Sequence, residues 1–593
     1  MTFDPFVLPF FLGLIFLLIV LFVSYSRWIA ALGTEQKGIL RRGINLKSIA
    51  DAVGEIFMES LLHRRMFNRN KLLGYMHMSF AFGWFLLILI GNIESRIYSG
   101  GHINPPYYPI FMKFFVHDKR VLPFELNSIP GIFRFLMDFV LFMILSGLVL
   151  AMFKRIRSNW FGLKKTSSYK LLDKLAIYAL WFIFPLRLLA ESFTAGVYHG
   201  GGFLTNTTGH VLAYFLPVRQ LAYSAWWAYS SALGVFLVLM PWTRFMHIPT
   251  EVLLIFLRRF GLKTGDTLSS FSDIEINACP RCGVCIDVCQ MHSAAGEKTT
   301  MAVYFMRSLR DGLSVNRISD TCLLCGRCLE VCPVHINTNG IRIAQRLKNN
   351  YKGIYHFDYI QHTSAQKADV VYFAGCMGHL TPTVKNAMMS IFLKANVNAI
   401  MLDEGGTVCC GRPLKIAGYL HDSKELVAAN EKLIKSTGAN TLVTSCPICY
   451  KAFREDYNIG IETLHHSQYL ERLVNSGKLN LGFIGTNVVY HDPCELGRGS
   501  GIYDEPRNLL KQIAKVQAHA EEKEDALCCG GSLGDLGLNQ SQRKAITNDA
   551  LDLLLNKETE MLITACPLCK KTFGASGRVL VKDIAEVVAE AMK

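Results

Sequence analysis

Val370-Val-Tyr-Phe-Ala-Gly-Cys376 recurs as Val488-Val-Tyr-His-Asp-Pro-Cys494, and the cysteines downstream of each run recur with it. Beyond Cys376 lie the adjacent pair Cys409 and Cys410, then Cys446 and Cys449. Beyond Cys494 lie Cys528 and Cys529, then Cys566 and Cys569. The spacings are C-x32-CC-x35-C-x2-C and C-x33-CC-x36-C-x2-C. Glycine follows each adjacent pair (Gly411, Gly530), and each closing pair reads Cys-Pro-Ile/Leu-Cys. A second β-rich run precedes each closing pair: Thr441-Leu-Val-Thr-Ser-Cys446 and Met561-Leu-Ile-Thr-Ala-Cys566. Helix-patterned stretches at 383–395, 423–436 and 541–555 lie between. Alternating strands and helices predict a duplicated α/β fold with the cysteines at strand C-termini, where open sheets place their sites.

Five thiols at nearly fixed offsets form a ligand set, because soft thiolates are what iron–sulfur clusters require. Zinc is satisfied by four ligands, and an adjacent cysteine pair supplies two corners of one tetrahedron poorly. The glycine pairs Gly405-Gly406 and Gly530-Gly531 let backbone approach a cluster closely. Neither is followed by Lys-Ser/Thr, so they are not phosphate loops. Over roughly residues 365–593 the chain resembles the cysteine-rich CCG domains of heterodisulfide reductase catalytic subunits. That resemblance implies one noncubane [4Fe-4S] cluster per complete motif, with catalysis at Cys376, Cys409, Cys410, Cys446, Cys449, Cys494, Cys528, Cys529, Cys566 and Cys569.

A second cysteine block precedes the repeats. Cys279, Cys282, Cys285 and Cys289 read C-x2-C-x2-C-x3-C, and Cys322, Cys325, Cys328 and Cys332 repeat it, with Pro333 after the last. This is the bacterial two-cluster ferredoxin run, in which the fourth cysteine of each run serves the other cluster. The first cubane [4Fe-4S] cluster therefore takes Cys279, Cys282, Cys285 and Cys332, and the second takes Cys322, Cys325, Cys328 and Cys289. Gln290 stands where proline is usual, and 32 residues separate the runs, but neither departure removes a ligand. Disulfides are the competing explanation, and two- and three-residue gaps suit a cluster cage better. All eighteen cysteines lie between Cys279 and Cys569. Thiolate-held clusters need reducing surroundings, which points this half to the cytoplasm.

The other half reads as a membrane domain. Hydrophobic residues make up 51% of the chain, and the apolarity is concentrated at the front. Candidate spans are about 6–26, 73–93, 132–152, 174–190 and 222–246. The fourth is weakest, since Pro185, Arg187 and Glu191 crowd its end. Phe6 to Val23 lacks a basic n-region and a small-residue cleavage site, so it reads as a retained anchor rather than a signal peptide. Arg27 to Lys71 carries nine Lys/Arg and Lys154 to Lys174 seven, against four in 96–130 and only Arg219 in 194–220. The positive-inside rule then puts the N-terminus outside and the C-terminal half in the cytoplasm of an inner-membrane, multi-pass protein. The net charge of +15 suggests nucleic acid, but residues 266–593 hold 35 basic and 35 acidic residues. The excess belongs to membrane flanks, and no nucleic-acid partner is expected.

His77, near the start of span two, and His247, at the end of span five, fall at the same membrane depth. Ionisable residues at span edges are functional candidates, although interfacial histidines without a role also occur. The segment resembles nitrate reductase gamma-type cytochrome b, which implies bis-histidine haem b held by His77 and His247. That family's second haem needs another histidine about five turns from His247, roughly 27 Å along one helix face. The residue at that offset is Tyr229. The outer haem thus lacks its usual ligands, with His199 and His210 as the available substitutes. His63, in His-Arg-Arg, reads as cytoplasmic surface.

The organisation expected is multi-domain: a five-helix, all-α cytochrome b-like membrane bundle (1–250), a linker (251–272), an α-helical ferredoxin-like module (273–350) and two CCG domains (365–480, 481–593). Together these suit an oxidoreductase moving electrons between membrane quinone and a cytoplasmic two-electron partner. The partner is a disulfide/thiol substrate in one reading. In the other it is a flavoprotein, with the clusters acting only as a wire, as in the fused iron–sulfur proteins proposed to oxidise electron-transfer flavoprotein. Further subunits are compatible with both.

Overall fold

Long apolar segments cross a bilayer only as helices or closed barrels, because lipid satisfies no backbone polar group. The computed structural model describes residues 5–98, 110–111, 129–156, 169–198, 200–348, 367–406 and 408–593. Among these residues five helices are long and apolar enough to span: Pro5–Ala30, Lys71–Arg96, Gly131–Ile156, Leu171–Tyr198 and Val218–Trp242. His199 and much of the loop sequence between spans two and three and between spans three and four lie outside the described residues.

The fourth span runs unbroken through Pro185. Arg187 and Glu191 sit one turn apart on it and pair at 2.8 Å, so the charges expected to weaken the span offset each other. The fifth closes earlier than expected. Its α-helix stops at Leu239, two 3₁₀ turns follow, and His247 opens a separate helix, His247–Arg259. That helix takes up residues 251–259 of the segment read as a linker, and it buries Leu254, Ile255 and Leu257. Between spans one and two lie the helices Thr34–Gly43 and Leu46–Glu55, a π-helical stretch Ile56–Leu61 and the helix Arg64–Arg69.

Two compact units emerge. The first comprises Met1–Lys263, Ser269–Val284 and Val331–Ile336; the second comprises Thr264–Leu268, Cys285–Glu330 and Asn337–Lys593. Within the first, Ser270 Oγ donates to Trp28 O at 2.6 Å, and Glu55 pairs with both Arg258 and Arg259. Arg258 also donates to the carbonyls of Val334 (3.1 Å) and His335 (3.3 Å), just past Cys332.

Within the second unit, the described residues from 285 to 348 form short helices and loops, with no strand. Two four-stranded sheets follow. One contains β1 (Val370–Phe373), β2 (Ala399–Met401), β3 (Thr441–Thr444) and β4 (Glu462–His465), in the order β2-β1-β3-β4. The other contains β5 (Asn487–His491), β6 (Lys515–Gln517), β7 (Met561–Thr564) and β8 (Leu580–Asp583), in the order β6-β5-β7-β8. All pairings are parallel, so every connection is a crossover, and helices fill the crossovers. One apolar core, including Tyr372, Val443, Tyr490 and Ile563, is common to both sheets. The duplication in the sequence is therefore a duplication of fold.

Candidate functional site: clustered cysteines and paired histidines

In each sheet the chain leaves the first strand toward one edge and later returns on its other side, which makes the gap between β1 and β3, and between β5 and β7, a topological switch point. Cys376 follows β1 and Cys446 follows β3; Cys494 follows β5 and Cys566 follows β7. The Cys-Pro-x-Cys sequence has a local reason. Cys446 and Cys566 occupy the residue before a helix (Pro447–Glu455, Pro567–Gly574), and the proline takes the first helical position. Cys449 and Cys569 then fall in the first turn, where the helix dipole favours thiolates. Gly411 and Gly530, after the adjacent pairs, have φ of +79° and +87°. A Cβ there would lie 3.0 Å from Ser423 O and 2.9 Å from Arg543 O respectively, so both conformation and space require glycine.

The thiols meet in matching chains. In repeat one Cys410 accepts from the Cys409 and Cys449 thiols, which holds it well below the usual thiol range. Cys449 also bonds Cys446, and Cys376 is pushed up to about 11 by burial and by Cys446 and Cys410. In repeat two Cys529 accepts from Cys528 and Cys569 and is drawn down to about 5, while Cys494 bonds Cys528 and Cys566 bonds Cys569. All five repeat-two cysteines line one cavity, together with Arg412 of repeat one. All eighteen cysteines are free thiols. So many buried thiols cannot ionise side by side without a compensating cation, and a metal cluster meets that need.

The ferredoxin-like runs share one backbone course. Arg281 and Leu324, each two residues after the first cysteine of its run, have φ of +52°, and Gly283 and Gly326 follow at +86° and +79°. Positive φ at two non-glycine residues is a strained loop held in the same way twice. In the second unit Cys289 is raised by burial and by its neighbours Cys325, Cys322 and Cys328, and these four residues are the second expected ligand set. In the first unit burial, then Cys282 and Cys279, push Cys332 up to about 12. Cys285, the remaining residue of the first set, opens the second unit's segment.

The first unit ties the first run to the membrane helices. Asp173, at the start of span four, accepts the Arg244 N–H at 2.8 Å and pairs with Arg281 at 3.2 Å, both side chains of that pair being buried. Arg244 Nη2 donates to Pro280 O at 2.6 Å. Asp173→Ala removes a charged partner of the buried Arg281 side chain, a loss of about 1.5–3 kcal/mol. The expected result is a lowered midpoint of thermal unfolding with reduced iron retention, read by circular dichroism and iron analysis.

His247 Nδ1 donates to Arg244 O at 2.6 Å, which fixes the tautomer and leaves the ring's acceptor lone pair on Nε2. His77 Nε2 is buried without a hydrogen-bond partner, and His247 is among the charges that reach it. An orphaned, buried imidazole nitrogen is the kind of donor a metalloporphyrin would take. His63 is half-buried. It adopts φ +51° at the end of the π-helical stretch, and its ring stands 5.5 Å from that of His77. Burial lowers its pKa to about 4. Tyr229 is buried and packs against Phe111 and Trp226. His210 is exposed on the helix Phe203–Phe215.

Comparison with known proteins agrees with this geometry. The cysteine-rich domain family matches residues 370–454 and 488–574, and the 4Fe-4S dicluster domain family matches 275–336. A subunit of the dihydromethanophenazine:CoB–CoM heterodisulfide reductase from Methanosarcina acetivorans is 28% identical over 404 residues, 55% of this chain and 96% of the relative. EtfAB:quinone oxidoreductase from Syntrophomonas wolfei is 30% identical over 246 residues, 38% of this chain and 34% of the relative. A subunit of the fumarate reductase (CoM/CoB) from Methanothermobacter marburgensis is 27% identical over 203 residues, 34% of this chain and 40% of the relative. With two cysteine-rich domains behind a dicluster domain, the chain is an iron–sulfur oxidoreductase of the heterodisulfide reductase-like kind.

Proposed function

We propose that this chain is a membrane-bound oxidoreductase that carries electrons between the quinone pool and a cytoplasmic two-electron partner, with disulfide/thiol chemistry at the CCG repeats. The observation that carries the reading is the connection through Arg244. Its carbonyl holds His247, and its guanidinium holds the first cysteine run at Pro280. A membrane histidine and a cluster-binding loop thus share one residue.

When bound, haem b and the [4Fe-4S] centres supply one-electron carriers whose potentials follow ligand type and surroundings. His77 and His247 hold the haem, the crossed sets from the two runs hold two cubanes, and each five-cysteine repeat holds one noncubane centre. Asp173 and Arg281 orient the first run; the helix first turns at Pro447 and Pro567 orient the closing cysteines. Charge and cysteine content support a cytoplasmic iron–sulfur half. The cavity lined by all five repeat-two cysteines favours chemistry at that repeat. A second reading is a relay, electron-transfer flavoprotein to quinone, and the Syntrophomonas wolfei relative's name favours it.

Purified protein is expected to contain about sixteen cluster irons per chain and no stoichiometric zinc. Only eight irons, or zinc in their place, overturns the noncubane assignment. Assaying quinone reduction with reduced electron-transfer flavoprotein against thiol pairs as donors separates the two readings.

A further inference from the structure

The first cysteine run ends on Gln290, where the second ends on Pro333. Gln290 is only 3% exposed. Its Oε1 accepts the Cys528 N–H at 2.7 Å, and its Nε2 donates to Asp549 Oδ2 at 3.1 Å and to Cys528 O at 3.4 Å. A proline at 290 supplies none of these bonds. One residue after Cys289 therefore grips the backbone of a cysteine in repeat two.

Other contacts join the same two elements. Arg498 Nε donates to Cys325 O at 2.7 Å, and Ser532 Oγ donates to Leu323 O. Arg498 is buried, and its charge faces Cys325, Cys494 and Cys528 at once. Cys289 and Cys325 share an apolar patch with Cys494 and Cys528, built on Met291, Leu323 and Ile546. Repeat one meets the helical segment elsewhere, where Arg346 Nη1 donates to Ile416 O at 2.9 Å and Lys415 pairs with Asp266 at 2.8 Å. Repeat one joins repeat two through Leu568, which packs on the cores containing Cys410, Cys446 and Cys449 on one side and Cys529, Cys566 and Cys569 on the other.

We propose that repeat two is the port through which the second cysteine run exchanges electrons with the CCG region, that Gln290 is the positioning residue that holds Cys528 for this exchange, and that repeat one exchanges electrons by way of repeat two. The proposal rests on the cluster assignments above. Each transfer moves one electron: one centre is oxidised and the other reduced by one, with no bond made or broken. Arg498 supplies a fixed positive charge between two anionic thiolate sets, which lowers their mutual repulsion.

The test uses the full chain, reduced anaerobically with dithionite and freed of excess reductant. In frozen samples, paramagnetic resonance of the second cubane is expected to show broadening by the repeat-two centre. The broadening should be lost in Cys529→Ala and kept in Cys410→Ala; the reverse pattern overturns the port. A second measurement mixes the reduced protein with a short-chain quinone, which takes two electrons from the protein and two protons from solvent. The repeat-one signal in Cys529→Ala is expected to persist at least tenfold longer than in the native chain while the cubane signals drain. Equal drainage overturns the order. Gln290→Leu is expected to slow drainage of both repeats tenfold with iron content unchanged. Gln290→Glu combined with Asp549→Asn, which keeps the acceptor for the Cys528 N–H and exchanges donor and acceptor in the bond to residue 549, should recover most of that rate. A native rate in Gln290→Leu removes the glutamine from the proposal. If quinone oxidises no centre, the quinone assignment fails, and the frozen-state broadening still decides the port.

Discussion

Alanine at Cys410 or Cys529 is expected to abolish turnover and leave haem b in the membrane half. These two are the second cysteines of the adjacent pairs, and in both repeats they accept hydrogen bonds from two neighbouring thiols. Each is therefore the hub of its five-sulfur set. Losing an outer-shell partner of a metal site already costs about ten- to a hundredfold, so losing a central ligand should cost more. The damage should stay local. The α/β sheets have their own core, and the membrane spans have another. The measurements are quinone-linked turnover, iron content and the haem spectrum of each variant. Turnover that survives with both residues changed takes the CCG centres off the electron path.

His77→Ala is expected to reduce haem from one per chain toward none, with cluster iron held at about sixteen. His77 Nε2 is buried without a partner, so nothing else in the described structure accounts for it. Pyridine haemochrome assay gives the count, and full haem with a normal low-spin spectrum in the variant excludes the site. His63 supplies the control that matters here. Its ring lies 5.5 Å from His77, so His63→Ala distinguishes a ligand from a neighbour that fixes the ligand's ring. Two haems per chain would require a ligand in place of Tyr229, whose ring is packed against Phe111 and Trp226.

Much of the CCG fold is legible in the sequence. The segments before Cys376, Cys446, Cys494 and Cys566 are runs of β-branched and aromatic residues, and the structure contains strands there. The other four strands leave little trace. β2 and β6 are three-residue edge strands, only half-buried or exposed, so they carry little hydrophobic signal. β4 and β8 carry Glu462 and Lys582 within four residues, which breaks any apolar run. His63 reads as surface because His-Arg-Arg is polar in sequence. Its burial comes from a left-handed turn that closes the π-helical stretch, and periodicity cannot reveal that. Gln290 is visible as a departure from the ferredoxin pattern, but its meaning depends on Cys528, more than two hundred residues away in sequence. Pairings of that kind are fixed by tertiary packing, not by local preference.

Among the described residues, the bonds that join the first unit's helices to the segments around its cysteines include Gln36 to Ser269, Ser270 to Trp28, Arg244 to Pro280, Arg281 to Asp173, and Arg258 to the carbonyls beyond Cys332. A freely dissociating pair would have to draw all its affinity from contacts such as these. Covalent continuity changes the requirement. Through Thr264–Leu268 the partner surface is always present, and a short flexible tether is equivalent to a millimolar concentration of it. The contacts therefore need only select one orientation and need contribute little affinity. A cut within Thr264–Leu268 would turn an orienting contact into a binding problem. A homologue that keeps the soluble part as a separate polypeptide must find that affinity elsewhere, in a wider or more apolar docking surface.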